Sequence, residues 1–156
     1  MNVISIDPGL SGALAYLENG VLEAVHRMPV RDSEIDLASV IDLLLDYERD
    51  VVVIEEQQSM PKQGVASTFK TGMNFGILIG AIETLEYPLV RIRAVEWKRA
   101  NGLLGKDKAA SRRLASELWP RHRDHFKLVK DDGMAEAALI GRGYIIRYVR
   151  EERAFV

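Results

Sequence analysis

The chain has 156 residues, 47% of them apolar and 28% charged, with a net charge of −2 and no cysteine. That is material for one globular domain, read as residues 1–156, and the missing cysteines exclude disulfides, thiolate metal sites and thiol nucleophiles. No run approaches the ~18 consecutive apolar residues of a membrane span, and Asp7-Pro8-Gly9 breaks the N-terminus before a secretory signal can form, so a cytoplasmic location without a membrane partner is expected.

In chain order, residues 2–6 read as a strand that ends in Asp7, followed by a Pro-Gly turn. Residues 13–17 and 21–28 read as two more strands joined by an Asn19-Gly20 hairpin turn, which gives an antiparallel meander. Leu37, Val40, Ile41, Leu44 and Leu45 have the spacing of one helical face over 36–47, with Asp32 or Ser33 as its cap. Val51-Val52-Val53-Ile54 is the continuous apolar run of a strand buried on both faces, and it ends in Glu55-Glu56.

A polar connector, 57–66, leads to a helix that Ser67 can cap and that runs to about Leu85. Its glycines at 72, 76 and 80 recur every four residues, a pattern that predicts close packing of another backbone, either the sheet or a second helix. Residues 88–92 read as a strand, 97–99 as a short helix or turn, and 106–119 as a basic amphipathic helix stopped by Pro120. A basic linker, 121–130, precedes a final helix from Asp131 or Asp132 to about Arg150. The order predicts an α/β fold: a mixed five-stranded sheet, three antiparallel strands then parallel ones, with helices on both faces.

Charge is unevenly spread. Residues 90–130 hold twelve Lys and Arg against four Asp and Glu, so this segment carries +8 and the remainder −10. A basic strip on an acidic chain predicts a polyanionic partner, nucleic acid first. Lys98, Arg99, Lys106, Lys108, Arg112 and Arg113 are the candidate contacts.

Asp7 and Glu55 close two strands that, if parallel neighbours, deliver both carboxylates to one sheet edge, where α/β folds bind ligands. Strand alternation favours Glu55 over Glu56. Asp132 and Glu136 stand one helical turn apart on one face, and Glu136 lies among Ala135, Ala137, Ala138 and Leu139, where an unpartnered carboxylate calls for a cation. Asp7, Glu55, Asp132 and Glu136 as an all-oxygen donor set select Mg²⁺, with Mn²⁺ as substitute. Two such ions suit in-line hydrolysis of phosphodiesters.

The ordered motifs Ile4-Ser5-Ile6-Asp7-Pro8-Gly9, Val53-Ile54-Glu55 and Asp132-Gly133-Met134-Ala135-Glu136-Ala137-Ala138-Leu139-Ile140 resemble the RuvC family of Holliday-junction resolvases, within the RNase H-like superfamily. The Met60-Pro61-x-Gln63-Gly64-Val65 connector, Phe69-x-x-Gly72 and Trp97-Lys98-Arg99 are similar to its compact, phage-type members. The resemblance spans nearly the whole chain. It implies an RNase H-like fold and a Mg²⁺-dependent homodimeric endonuclease that resolves four-way and other branched DNA. Asp7 would bridge the metals, Glu55, Asp132 and Glu136 would complete the ligand set, and Lys106 or Lys108 would stand near the scissile phosphate.

The chain departs from the cellular pattern in two ways. The last two acids stand four apart rather than three, leaving Asp131 as an alternative to Asp132. Gln57-Gln58-Ser59-Met60 holds no aromatic where the cellular proteins carry a wedge. The alternative within this fold is a nuclease acting on RNA or on flap and fork DNA with little junction selectivity. A non-catalytic junction-binding module is opposed by the full set of acids. An actin-like ATPase, for which Asp7-Pro8-Gly9 would be a phosphate loop, needs two lobes, so no nucleotide cofactor is expected. Trp97 and Trp119 read as core, and His122 and His125 as phosphate- or solvent-facing.

Overall fold

The computed structural model describes residues 1–58 and 64–154, the last six by backbone alone. Half of the 57–66 connector, Met60-Pro61 and Gln63 included, lies outside the described residues. The strands are β1 (Asn2–Asp7), β2 (Ala13–Glu18), β3 (Val21–Arg27), β4 (Val30–Arg31), β5 (Glu34–Ile35), β6 (Val51–Glu55) and β7 (Leu89–Ile92). The helices are α1 (Leu37–Asp46), α2 (Val65–Thr84), α3 (Ala94–Ala100), α4 (Lys108–Leu118) and α5 (Asp132–Ala154).

Five strands form one sheet in the order β3-β2-β1-β6-β7. β1, β2 and β3 are antiparallel, while β6 and β7 join β1 in parallel, so the expected mixed sheet is present. Asn19 and Gly20 take the positive φ values of 50° and 84° that a tight hairpin demands.

Alternation along the strands sorts the core in two. Val3, Ala13, Ala15, Leu17, Val51 and Val53 pack with α3, α4 and α5 on one face. Ile4, Ile6, Leu14, Val52 and Ile54 pack on the other with Val40 and Leu44 of α1 and with Leu78, Ile79 and Ile82 of α2. Each fully buried Val, Leu or Ile among them contributes about 1.5–3 kcal/mol.

Several local expectations give way. Asp32 and Ser33 do not cap α1; with φ of 51° and 61° they form the turn of the small β4–β5 hairpin. Asp36 stands at the cap position instead, its carboxylate accepting from Ser39 Oγ at 3.0 Å. α2 begins at Val65, so Ser67 lies inside it. α4 starts two residues late because Asp107 caps it, accepting from the Ala110 N–H at 2.8 Å. The basic linker is two short 3₁₀ turns, Pro120–Phe126 and Val129–Asp131, anchored by Phe126, which is buried beside Trp119.

The glycine row of α2 is the largest departure. A Cβ added at Gly72, Gly76 or Gly80 would meet nothing within 4 Å. Phe69 is 70% exposed and Val65 89%. The sheet face is covered by the large residues Leu78, Ile79 and Ile82, because filling the groove above β1 and β6 takes volume that glycine lacks. α2 is also the one described helix whose length and apolar content could cross a membrane, yet that buried stripe docks it on the sheet.

Candidate metal and nucleic-acid site

Asp7 and Glu55 are the last residues of parallel neighbours. The register runs from Val3↔Val51 to Ile6↔Ile54, so the next step brings Asp7 level with Glu55. Period-two alternation places Val3, Ser5 and Asp7 on the α5 face together with Val51, Val53 and Glu55.

α5 supplies the other acids, and three close contacts set its position. A Cβ on Gly133 would lie 2.2 Å from the Ser11 carbonyl oxygen, and one on Gly12 would lie 1.9 Å from that of Asp7. Glycine at 12 lets the turn fold back on the end of β1, and glycine at 133 lets the start of α5 press on that turn. Further along, buried Ser5 donates its Oγ–H to the Ala137 carbonyl at 2.7 Å, fixing α5 lengthwise on β1.

These contacts create a cleft of about 740 Å³ whose lining includes Asp7, Ser11, Arg27, Lys108, Asp132 and Glu136. Burial raises the Asp7 carboxyl well above the usual range; the charges of Glu136 and Glu55 raise it further, and Lys108 and Lys98 partly offset them. Burial likewise raises Glu55, opposed by a hydrogen bond from Trp97, with Glu136 adding to the rise. Glu136 is raised by burial first, against Lys108 and Lys98, with Asp132 contributing upward.

Three desolvated, mutually repelling carboxylates with only oxygen donors fit a hard divalent cation, which would remove the penalty each imposes on the others. As they stand, no three Asp, Glu or His side chains among the described residues are gathered closely enough to grip an ion. Asp132 is ion-paired with Arg112 from α4.

Asp131, the alternative ligand, is elsewhere. It is 2% exposed, ion-paired with Arg27 of β3, and its carboxylate accepts from the Leu128 N–H at 2.8 Å. It therefore serves as a cap and anchor for the 3₁₀ turn, while Asp132 lines the cleft. Among the candidate cations, Lys108 lines the cleft and half-buried Lys98 acts electrostatically on its acids. Arg99 and Lys106 are exposed, and Arg113 is exposed with Asp107 at 3.9 Å. Arg112 is committed to Asp132. His122 and His125 have ring centres 6.0 Å apart beside neither Asp7 nor Glu55.

Sequence reasoning missed the roles of Ser5, Arg27 and Gly133, which act through contacts distant in the chain. It read Trp97 as core, and it is fully buried; its indole N–H also donates to Glu55 Oε2 at 3.0 Å. The signal for that was present, because a buried indole N–H needs an acceptor.

No family model matches the chain, and no curated protein matches it by sequence. Solved structures do. RuvC of Thermus thermophilus in complex with a Holliday junction substrate aligns with 97% of this chain and 96% of its own at 18% identity, with a TM-score of 0.74. A second structure of Thermus thermophilus RuvC gives 97% coverage of each chain, 19% identity and a TM-score of 0.67. The fowlpox virus Holliday junction resolvase gives 95% and 99% coverage, 20% identity and 0.59. The sheet order, the helices on both faces and these alignments together give the chain the RNase H-like fold of RuvC over nearly its whole length.

Proposed function

We propose that the protein is a Mg²⁺-dependent endonuclease that resolves four-way and other branched DNA junctions as a homodimer. The observation that carries this reading is the convergence of Asp7, Glu55 and Glu136, with Asp132 beside them, at the parallel-strand edge of a RuvC-like fold and next to Lys98 and Lys108. In this reading Asp7, Glu55, Asp132 and Glu136 hold Mg²⁺, or Mn²⁺ in its place. When bound, a pair of such ions lowers the pKa of the attacking water and stabilises charge on the attacked phosphate and leaving oxygen.

The chain's own groups do the rest. Burial at the ends of β1 and β6 removes water from the carboxylates and so raises their affinity for a cation. Lys108, at the cleft, offers positive charge to the scissile phosphate. Lys98 and Arg99 on α3, Lys106 in the loop before α4 and Arg113 on α4 serve as DNA-backbone contacts, which position DNA without reading its sequence. Arg112 holds Asp132 from α4 rather than meeting DNA directly. The homodimer is supported by α2, whose exposed Val65 and Phe69 and open glycine row leave room for the same helix of a second copy. Two clefts in such a pair would cut two strands of a junction.

The test is cleavage of a synthetic four-way junction against a fork, a linear duplex and an RNA strand, with Mg²⁺ and with EDTA. Junction cleavage that requires Mg²⁺ and vanishes in Asp7→Asn, with junction binding retained, is expected. Wild-type rates in Asp7→Asn would remove the metal-site assignment, and equal rates on forks or RNA would favour the less selective nuclease.

A further inference from the structure

A glutamate at a strand end has three rotatable bonds, and a metal site needs its carboxylate in one orientation. We propose that Trp97 is the positioning residue for Glu55, holding the carboxylate through its indole N–H in the orientation that receives the divalent ion. This rests on the nuclease reading above.

Trp97 Nε1 donates to Glu55 Oε2 at 3.0 Å, joining α3 to the end of β6. Glu55 can keep that bond in only a narrow set of rotamers, so one oxygen is pinned while the carboxylate's remaining lone pairs stay available. The indole can pin it because Trp97 is itself immobile. It is fully buried, and its carbonyl accepts from Asn101 Nδ2 at 2.8 Å. The same amide donates to the Leu139 carbonyl of α5 at 2.9 Å, and Arg142 Nη1 donates to Asn101 Oδ1 at 2.7 Å. A second tie, Arg147 to Glu96 at 2.6 Å, holds α3 on α5 from its other end.

The helices also meet backbone to side chain: a Cβ on Gly143 would lie 2.8 Å from Trp97 Cβ. α5 carries Glu136 and grips α3, so the indole N–H relates a carboxylate on β6 to one on α5. The ring also lies 5.2 Å from Lys98 Nζ, within cation–π reach, and Lys98 is one of the two cations acting on these acids. A residue present only to fill the core would serve as well without its N–H. That difference is measurable.

The experiment uses the full chain, free of DNA, and reads Mn²⁺ affinity by calorimetry or electron paramagnetic resonance. Trp97→Phe removes the N–H and some volume. Replacing Trp97 with 3-benzothienylalanine substitutes sulfur for the N–H at nearly constant shape, so this variant carries the test if the phenylalanine chain fails to fold. Both should bind Mn²⁺ about ten- to a hundredfold more weakly, the usual effect of removing a hydrogen bond behind a metal ligand. Junction cleavage should fall at low Mg²⁺ and recover as Mg²⁺ is raised, a concentration dependence that a packing defect would not produce. Wild-type Mn²⁺ affinity in the benzothienyl variant, with binding lost in Asp7→Asn, overturns this inference alone. A wild-type protein that binds no Mn²⁺ overturns the nuclease reading and this inference with it.

Discussion

Helices α5 and α2 lie on opposite faces of one sheet, each carries three glycines among its described residues, and the two sets behave oppositely. On α5, Gly133, Gly141 and Gly143 sit against Ser11, Ser5 and Trp97, where an added Cβ would come within 2.2 to 2.8 Å of its nearest neighbour. On α2, Gly72, Gly76 and Gly80 meet nothing within 4 Å. The periodic row is the open one and the irregular set is the packed one. Close approach is therefore used where α5 seats on the turn after β1, on β1 itself and on α3, and spacing alone does not reveal it. α2 keeps its glycines on the side away from the sheet, the side on which Phe69 is exposed.

The comparison breaks most visibly at Gly133. Gly133→Ala puts a methyl group 2.2 Å from the Ser11 backbone oxygen, and α5 cannot yield without moving Asp132 and Glu136, which it carries. Overpacking against backbone should destabilise by about 3 kcal/mol, the upper end of the usual range. Urea denaturation of metal-free protein checks it. A loss below about 1 kcal/mol would mean the turn relaxes and that α5 is no more tightly seated than α2.

The sheet was legible because its strands are written in period two and in β-branched runs. Val51-Val52-Val53-Ile54 could be little else, and the two strand-end acids followed from it. The seating of α5 was not, because it depends on partners far along the chain: Gly133 on Ser11, Ser5 on Ala137. Asp131 and Asp132 are indistinguishable by composition. What separates them is Arg27, 104 residues away, which takes Asp131 out of the cleft. The 121–130 segment looked like linker because 3₁₀ turns have no 3.6-residue period, and its one strongly buried anchor, Phe126, is a single apolar residue among charges. α2 stands where its pattern predicts, and of the two partners its glycine row allows the sheet is excluded, since a four-residue glycine repeat marks a face without saying what lies opposite.

A second contrast concerns charge. If DNA lies along α3 and α4 on the α5 side, replacing Lys106 and Lys108 together with Ala should weaken junction binding and make its salt dependence shallower by about two, one for each lost phosphate contact. Lys70→Ala on α2 should leave that slope unchanged. Affinity measured over a series of NaCl concentrations decides it, and a slope lost with Lys70 instead would place the DNA on the wrong helix for this reading.

The third concerns what the α5 side sacrifices in order to hold its acids. The Asp7 carboxyl is raised in the folded chain relative to 3.8, so the folded state binds its proton more readily than the unfolded state. Stability of the metal-free protein should therefore rise as pH falls through the raised value toward 3.8. Asp7→Asn removes that strain, so it should be more stable than wild type in EDTA at pH 8, with the gain fading as pH drops. His26 works in the opposite sense, since burial lowers its pKa and stability is lost as it takes up a proton. It is common to both chains and cancels in their difference. Unfolding midpoints at several pH values, taken as variant minus wild type, isolate the cluster. A difference that stays flat with pH would mean that the Asp7 carboxyl is raised neither by burial nor by Glu136 and Glu55.

The smallest expected effect is on the open helix. Gly76 lies inside α2 with space around it, so Gly76→Ala adds a methyl group that touches nothing and removes the backbone freedom of a helical glycine. In a dilute, monomeric sample this should stabilise by about 0.5–1 kcal/mol. The sign depends on what covers the row. If a second copy lays its own α2 along it, the same methyl group enters a helix–helix seam, and the gain at low protein concentration should shrink or reverse as concentration rises. Urea midpoints measured over a hundredfold range of concentration, with mass from light scattering on the same samples, separate the two regimes. A gain that holds at every concentration while the protein stays dimeric would move the dimer seam off the glycine row. A loss even in the dilute monomer would mean α2 is seated as tightly as α5, and the contrast between the two helices would not survive.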